Sequence, residues 1–152
     1  MIIAIPQLNY KAGDIQGNSE KIISAIQKAQ NQKAELILFP ELAVSGALPQ
    51  DLLEREEFVN ACRMAVEKIA ATCTQIAAIV GAPNLDSENG IMYNSAYFIQ
   101  NGEVVDGVHK NILYFLCHVQ ISTSRNDCSW HVAGNFFCMS GSRQSNNLRI
   151  RV

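Results

Sequence analysis

The chain has 152 residues, enough for about one domain with a buried core, and 48% of them are hydrophobic while 17% are charged. That balance excludes an intrinsically disordered chain, and no apolar run approaches the roughly 18 residues of a membrane span. A formal net charge of −2 gives no electrostatic basis for binding nucleic acid or a membrane surface. We therefore expect a globular protein that binds neither.

The amino terminus and the cysteines favour a cytoplasmic location. The stretch 1–6 lacks a basic leader and a cleavage pattern, so we expect no secretion signal. The five cysteines are an odd number without the spacing of a disulfide framework. In a chain without a secretion signal they are predicted to be reduced thiols.

The first 40 residues predict a βαβ unit. Residues 2–8 are β-branched and indicate a buried strand, Asn18 is the predicted N-cap of a helix, and residues 36–39 indicate a second buried strand. The helix is recognised by four apolar positions at helical spacing: Ile22, Ile23, Ile26 and Ala29. Because strand, helix and strand follow within this length, the two strands are predicted to be parallel.

A single carboxylate, Glu41, stands directly after the second strand. Pro40 has no N–H to donate to a strand ladder, so the strand is predicted to end there. Glu41 then lies at the carboxyl edge of the sheet, where open α/β sheets bind their ligands. The alternative is that Pro40 and Glu41 open a helix, in which case Glu41 only complements the helix dipole.

The remaining elements predict a mixed sheet with helices on a face. In chain order they are a loop over 43–53, a helix over 54–73, a strand over 76–80 closed by Gly81 and Pro83, a polar loop over 84–90, and strands over 94–99 and 103–108. The last two strands join across Asn101-Gly102, a strong signal for a type I′ hairpin turn. The core is predicted to include six strand residues: Ile3, Ile5, Leu36, Leu38, Ile79 and Phe98.

Lys110 ends the predicted hairpin and marks a change in composition. Residues 1–110 carry a net charge of −5, whereas residues 111–152 carry +3, three of the five cysteines and no lysine. We therefore predict an ordered domain over 1–110 and an atypical tail over 111–152. A lysine at a strand end is commonly a solvated edge charge, so a functional reading of Lys110 requires Glu41 to be nearby.

Short pieces of the sequence, in one order over about 110 residues, resemble the carbon–nitrogen hydrolase (nitrilase) family. They are Ala4 to Asn9 with Gly13-Asp14 and Asn18, Phe39-Pro40-Glu41-Leu42 with Ser45-Gly46, Pro49 with Asp51-Leu52-Leu53, Val80 to Pro83, Asn94 to Phe98, and His109-Lys110. The Asp-Leu-Leu and Asn-Ser-Ala-Tyr pieces favour the branch formed by the amino-terminal glutaminase domains of glutamine-dependent NAD synthetases.

The resemblance implies an α/β fold of the αββα sandwich type, here incomplete, with two sheets face to face and helices outside. It also implies a Glu-Lys-Cys catalytic set, with Glu41 as general base and Lys110 as the cation that stabilises the oxyanion. The implied partner is a small-molecule amide, with glutamine as the favoured substrate. The resemblance also implies that subunits can pair through the sandwich face. The resemblance implies neither a cofactor nor a metal.

The nucleophile of the family does not follow from the sequence so directly. It lies a few tens of residues beyond the lysine, after a strand, and is followed by Glu-Asp. None of the three cysteines of the tail, Cys117, Cys128 and Cys138, is followed by an acidic residue. Cys138 follows an apolar pair at a fitting distance from Lys110, so it is the candidate nucleophile.

Other interpretations of the tail remain open. The cysteines and histidines between 117 and 138 could bind zinc, although their spacing matches no standard finger or ribbon. The run Ser140-Gly141-Ser142 resembles a phosphate loop but lacks a second glycine and an aspartate. The basic composition also suits a frame-shifted or truncated reading of a longer gene. In that case the chain would be a catalytically silent protein or an interaction module that keeps the fold without the nucleophile.

Overall fold

The computed structural model describes residues 1–47, 49–88 and 90–110, together with the backbone of residues 148–151. The elements in chain order are β1 (Ile2–Ile5), α1 (Ile15–Asn31), β2 (Leu36–Leu38), a 3₁₀ helix (Gln50–Glu54), α2 (Glu56–Ala70), β3 (Ala77–Asp86), β4 (Ile91–Gln100), β5 (Glu103–His109) and β6 (Leu148–Arg151). The described strands form one sheet in the order β5-β4-β3-β2-β1-β6. Neither described helix has the length and apolar character needed to cross a bilayer.

The sheet is mixed, as the sequence predicts. Strand β1 pairs with β2, and β2 with β3, in parallel, which confirms the βαβ unit. Strand β4 pairs antiparallel with β3 and with β5, and β6 pairs antiparallel with β1. The hairpin between β4 and β5 turns at Asn101 and Gly102, whose φ angles of 55° and 86° are the positive values that a type I′ turn requires. The Asn-Gly signal is therefore confirmed.

Helix α1 begins earlier than predicted. Asp14 is its N-cap, since the Asp14 carboxylate accepts a hydrogen bond of 3.0 Å from the Gly17 N–H. The prediction that Asn18 caps the helix is wrong, because Asn18 lies inside α1 and is fully buried. The predicted apolar stripe is present, with Ile22, Ile26 and Ala29 in the core.

Strand β3 is longer than predicted, because Gly81 and Pro83 lie within it instead of closing it. The pairing with β2 ends at Ile79, so beyond that residue β3 has a strand neighbour only on the β4 side. The ring nitrogen of Pro83 faces the unpaired side, where a missing N–H costs no ladder hydrogen bond. The tight turn that follows β3 replaces most of the predicted polar loop.

Both helices pack on one face of the sheet, which we call the helix face. Residues Ile37, Ala78, Val80, Ala82 and Ile99 point to this face and are at most 1% exposed. They form one core cluster with the apolar stripes of α1 and α2. The described residues thus supply one helix layer and one sheet of the predicted αββα sandwich.

The opposite side of the sheet, which we call the open face, carries all six residues that the sequence assigns to the core. The register pairs Ile3 with Leu36, Leu38 with Ile79 and Ile79 with Phe98, and paired residues point to the same side of a sheet. Each of the six is half-buried, so their assignment to the buried core is wrong for the described residues. Their apolar character still fits a face that is built to be covered.

Candidate active site

Glu41 lies just beyond the carboxyl end of β2, as the sequence predicts. The Phe39 N–H donates to the Ile79 carbonyl oxygen at 2.9 Å, and the Val44 N–H donates to the Gly81 carbonyl oxygen at 3.2 Å. These two bonds hold the segment that contains Glu41 alongside β3. The residues after Pro40 form turns, with Leu42 at a positive φ of 54°, so the alternative of a helix opening at Pro40 is wrong.

Gly81 allows this segment to lie unusually close to β3. A Cβ atom at Gly81 would lie 2.6 Å from the Pro40 carbonyl oxygen, 2.7 Å from the Leu42 nitrogen and 2.9 Å from the Glu41 Cα. All three are backbone atoms, which cannot move aside as the end of a flexible side chain would. The absence of a side chain at Gly81 therefore sets the position of the Glu41 backbone.

A buried asparagine anchors the loop after Glu41 to α1. The Asn18 side-chain oxygen accepts from the Lys11 N–H at 3.0 Å, and its Nδ2 donates to the carbonyl oxygens of Lys11 and Val44 at 2.8 and 3.1 Å. The fully buried amide is thus satisfied by the backbones of two loops. The sequence places Asn18 among the family-like residues but misassigns it as a helix cap.

Lys110 is carried to the site by the β4–β5 hairpin. Ser95 pairs with His109 at the end of the hairpin, and one residue further the Lys110 N–H donates to the Asn94 carbonyl oxygen at 2.9 Å. Asn94 pairs with Pro83 and lies four residues before Phe98 in the same strand. Its side chain therefore lies on the open face with that of Phe98. The site therefore stands on the open face of the sheet.

A one-residue shift in the hairpin decides which side chain reaches that face. The register joins Phe98 to Asp106 but Ile99 to Val104, and so skips Val105 in β5. Without the shift, His109 would lie opposite Asn94, because slipping a strand by one residue moves every side chain to the other face. The bulge at Val105 thus aims Lys110 at the site, which is a known use of bulges.

The two predicted residues meet although 69 positions separate them. The Lys110 Nζ lies 3.0 Å from Oε1 of Glu41, and the two side chains are 35% and 23% exposed. The side-chain Nδ2 of Asn94 donates to the same Oε1. The predicted proximity of Glu41 and Lys110 is therefore confirmed, and Asn94 is a third participant that the sequence interpretation did not single out.

The thiols of the described residues lie away from this site. Cys62 and Cys73 are fully buried in the core on the helix face. Burial raises the pKa of the Cys62 thiol to about 12 and that of the Cys73 thiol to about 11, since a thiolate is poorly solvated there. Both are therefore unsuited to act as nucleophiles. The predicted nucleophile, Cys138, lies outside the described residues.

Metal binding has no support in the described ranges, where no group of three or more His, Cys, Asp or Glu side chains is placed to hold an ion. The cysteines and histidines that could form a zinc site lie in the tail, outside the described residues. The Ser140-Gly141-Ser142 run lies there as well.

Known proteins have a similar sequence over most of this chain. The glutamine-dependent NAD(+) synthetase of Xylella fastidiosa (strain Temecula1) is 38% identical over 112 residues, which cover 73% of this chain and 20% of that protein. The corresponding enzyme of Aquifex aeolicus is 36% identical over 110 residues, covering 71% and 18%. The chain thus spans about one fifth of the length of the curated relatives it matches.

Solved structures show the same similarity. The glutamine-dependent NAD+ synthetase of Acinetobacter baumannii superposes with a TM-score of 0.67 at 31% identity, covering 72% of this chain and 20% of that chain. An amidase from Nesterenkonia sp. superposes with a TM-score of 0.64 at 30% identity, covering 75% and 44%. The sequence profile described as Carbon-nitrogen hydrolase matches residues 2–130, which runs past the boundary predicted at Lys110. The chain belongs to the carbon–nitrogen hydrolase family.

Proposed function

We propose that Glu41 and Lys110 form the base and oxyanion partner of an amide-hydrolysing site of the glutaminase type. The observation that carries the proposal is the 3.0 Å contact between Lys110 Nζ and Glu41 Oε1 at the carboxyl end of β2. Glutamine is the proposed amide, because the similar synthetases are described as glutamine-dependent. Relatives of this kind would pass the released ammonia to NAD synthesis.

The proposed chemistry gives each group one task. The Glu41 carboxylate takes the proton from a cysteine thiol, and the resulting thiolate attacks the amide carbon. The electron pair of the carbonyl moves to its oxygen, and the Lys110 cation stabilises this oxyanion. When the oxyanion collapses, the carbon–nitrogen bond breaks and the Glu41 carboxylic acid returns the proton to the departing nitrogen, which leaves as ammonia. Water then hydrolyses the thioester.

The nucleophile is the component that the described residues do not supply. Cys138 is the proposed thiol, at a position that lacks the Glu-Asp pair that follows the cysteine in the resembled family. A second candidate function is therefore a catalytically silent chain that binds an amide without cleaving it. The observation that favours this candidate is the burial of Cys62 and Cys73 on the helix face, away from Glu41 and Lys110.

Ammonia release from glutamine decides between the two candidates. We expect the chain expressed alone to release no ammonia above background, because Cys138 lacks the Glu-Asp pair of the family nucleophile and a catalytic set without a competent nucleophile loses many orders of magnitude in rate. Release that disappears in Cys138→Ala and persists in the control Cys128→Ala would contradict this expectation and establish the complete Glu-Lys-Cys enzyme.

Binding tests the proposed half-site without requiring turnover. Titration calorimetry with glutamine should show saturable binding to the wild-type chain, and Lys110→Met should weaken it by about tenfold through the lost cation. Asn84→Asp, in β3 on the helix face, is the control that should leave binding unchanged. No detectable binding by the wild-type chain, or equal binding by Lys110→Met, would contradict the proposal.

The location and partners of the protein, as predicted from the sequence, are part of the proposal. The protein would act in the cytoplasm on a small-molecule amide, without nucleic acid or membrane as a partner. Pairing of two subunits through the sandwich face stays a prediction, as does the division into a domain over 1–110 and a tail over 111–152.

A further inference from the structure

We propose that Asn94 is the positioning residue of this site, holding Glu41 by its side chain and Lys110 by its backbone. The inference rests on the proposed function, since it concerns the same pair. The Asn94 Nδ2 donates to Oε1 of Glu41, and the Asn94 carbonyl oxygen accepts from the Lys110 N–H at 2.9 Å. One residue of β4 therefore touches both partners, which come from segments 69 positions apart.

The location of Asn94 makes it a rigid point of reference. It lies within β4, which pairs with β3 on one side and with β5 on the other. Its chain neighbour Ser95 is 3% exposed and is hydrogen-bonded through Oγ to the His109 Nδ1 at 2.8 Å. A strand fixed on both sides can hold a short side chain within the small tolerance that a catalytic geometry requires.

Asparagine suits this task better than its isostere. Its amide is neutral and donates two N–H groups at any pH near neutrality, so it binds the Glu41 carboxylate without competing for the Lys110 charge. An aspartate of the same shape would place a second carboxylate against Glu41 and would attract Lys110 to itself. The residue type thus preserves the one-to-one pairing of Glu41 with Lys110.

The geometry also assigns different tasks to the two carboxylate oxygens. Within the described part of the chain, both donors to Glu41, from Asn94 and from Lys110, reach Oε1. An oxygen that already accepts two hydrogen bonds is a poorer proton acceptor than its partner. We therefore assign Oε2 as the oxygen that takes the nucleophile's proton, while Asn94 keeps Oε1 turned towards Lys110.

The side-chain amide of Asn94 reports this role directly in ¹H–¹⁵N spectra of the full chain. In the wild-type chain, one of its two protons should be shifted downfield and exchange with water about tenfold more slowly than in Glu41→Ala. The amide of Asn84 is the internal control, because it lies in β3 on the helix face and should be unaffected. An Asn94 amide with the same shift and exchange rate in both proteins would overturn the proposal.

The second readout is the NMR signal of the Lys110 ammonium. This signal would stay in place if Asn94 had a merely structural role. In Asn94→Ala it should move towards the signals of surface lysines such as Lys68, and in Asn94→Asp it should move differently because a new carboxylate competes for it. The matched variant Asn84→Ala should leave the Lys110 signal where it is. An unchanged Lys110 signal in folded Asn94→Ala would overturn the proposal. Neither readout requires ammonia release or glutamine, so failure here and failure of the proposed function are distinguishable.

Discussion

The two faces of the sheet have similar sequences and different surroundings. On the helix face, Ile37, Val80 and Ile99 are at most 1% exposed beneath α1 and α2. On the open face, their neighbours Leu38, Ile79 and Phe98 are equally apolar but only half-buried. The difference teaches that a short apolar strand predicts burial on both faces of the sheet. It does not predict which face the described residues cover. The candidate site stands on the open side, where Asn94 and Gly81 meet the Glu41 turn.

The largest expected effect separates two neighbours in β2. Ile37→Ala leaves a cavity under the helices and should lower the free energy of unfolding by about 2–5 kcal/mol. Leu38→Ala removes a similar side chain from the open face and should cost less than half as much in the isolated chain. Urea denaturation of both variants measures the difference. Equal losses would mean that the open face is covered as completely as the helix face.

The next effect concerns the close contact behind Glu41. Gly81→Ala introduces a Cβ 2.6 Å from the Pro40 carbonyl oxygen, so it should destabilise the fold by about 1–3 kcal/mol and displace the Glu41 turn. The control is Gly107→Ala in β5, where the nearest atom to a new Cβ would be 3.7 Å away. Denaturation curves that rank Gly107→Ala as the more harmful change would contradict the role assigned to Gly81.

A smaller change in stability should accompany a test of the hairpin register. Deleting Val105 removes the bulge and should change the free energy of unfolding by about 0.5–1.5 kcal/mol, the value of a ladder hydrogen bond. Because Val105 is the residue that the register skips, the pairs from Phe98–Asp106 to Ser95–His109 should be kept and Lys110 should stay on the open face. Inserting one alanine after Asp106 should instead place His109 opposite Asn94 and turn Lys110 away. Nuclear Overhauser contacts between Asn94 and the two residues distinguish the variants, and Lys110 contacts that are lost in the deletion or kept in the insertion would contradict this register.

The smallest effect near neutral pH comes from the thiols of the helix face. Burial raises the pKa of Cys62 to about 12 and that of Cys73 to about 11, above the usual value of 9.0. Their contribution to stability is fully present below about pH 9 and is lost as the pH rises through 11 to 12. The reason is that the thiols of the unfolded chain ionise at a lower pH than the buried thiols, which favours the unfolded state. Stability should therefore fall less between pH 8 and pH 10.5 in a Cys62→Ala/Cys73→Ala variant than in the wild type. An equal fall in the two proteins would contradict the burial of the thiols.

The sequence predicts the path of the chain better than it predicts the surroundings of each residue. The βαβ unit, the Asn101-Gly102 turn and the position of Glu41 after Pro40 all follow from local rules, because each depends on the conformational preferences of a few adjacent residues. The prediction that Asn18 caps α1 is wrong because Asp14, four residues earlier, caps the helix. The Asn18 amide instead makes a tertiary hydrogen bond. The predicted end of β3 is wrong because Pro83 interrupts a strand only where its missing N–H would be paired, and Gly81 weakens a strand without ending it.

The contact that completes the site could be predicted only through the family resemblance. Nothing local relates Lys110 to Glu41, and the bulge at Val105 that aims the lysine has no sequence signal of its own. Asn94 was quoted as part of a family-like run, yet its two contacts depend on the register of three strands. Such contacts arise from tertiary geometry and not from periodicity.

The most direct test of the central claim, that Glu41 and Lys110 form one site, is a double-mutant cycle of the unfolding free energy. The variants are Glu41→Gln, Lys110→Met and the double mutant, all at low salt and neutral pH. For a pair at 3.0 Å with side chains 23% and 35% exposed, the two changes should be non-additive by about 0.5–1 kcal/mol. Costs that add to within about 0.3 kcal/mol would contradict the claim, because distant, independent residues behave in that way.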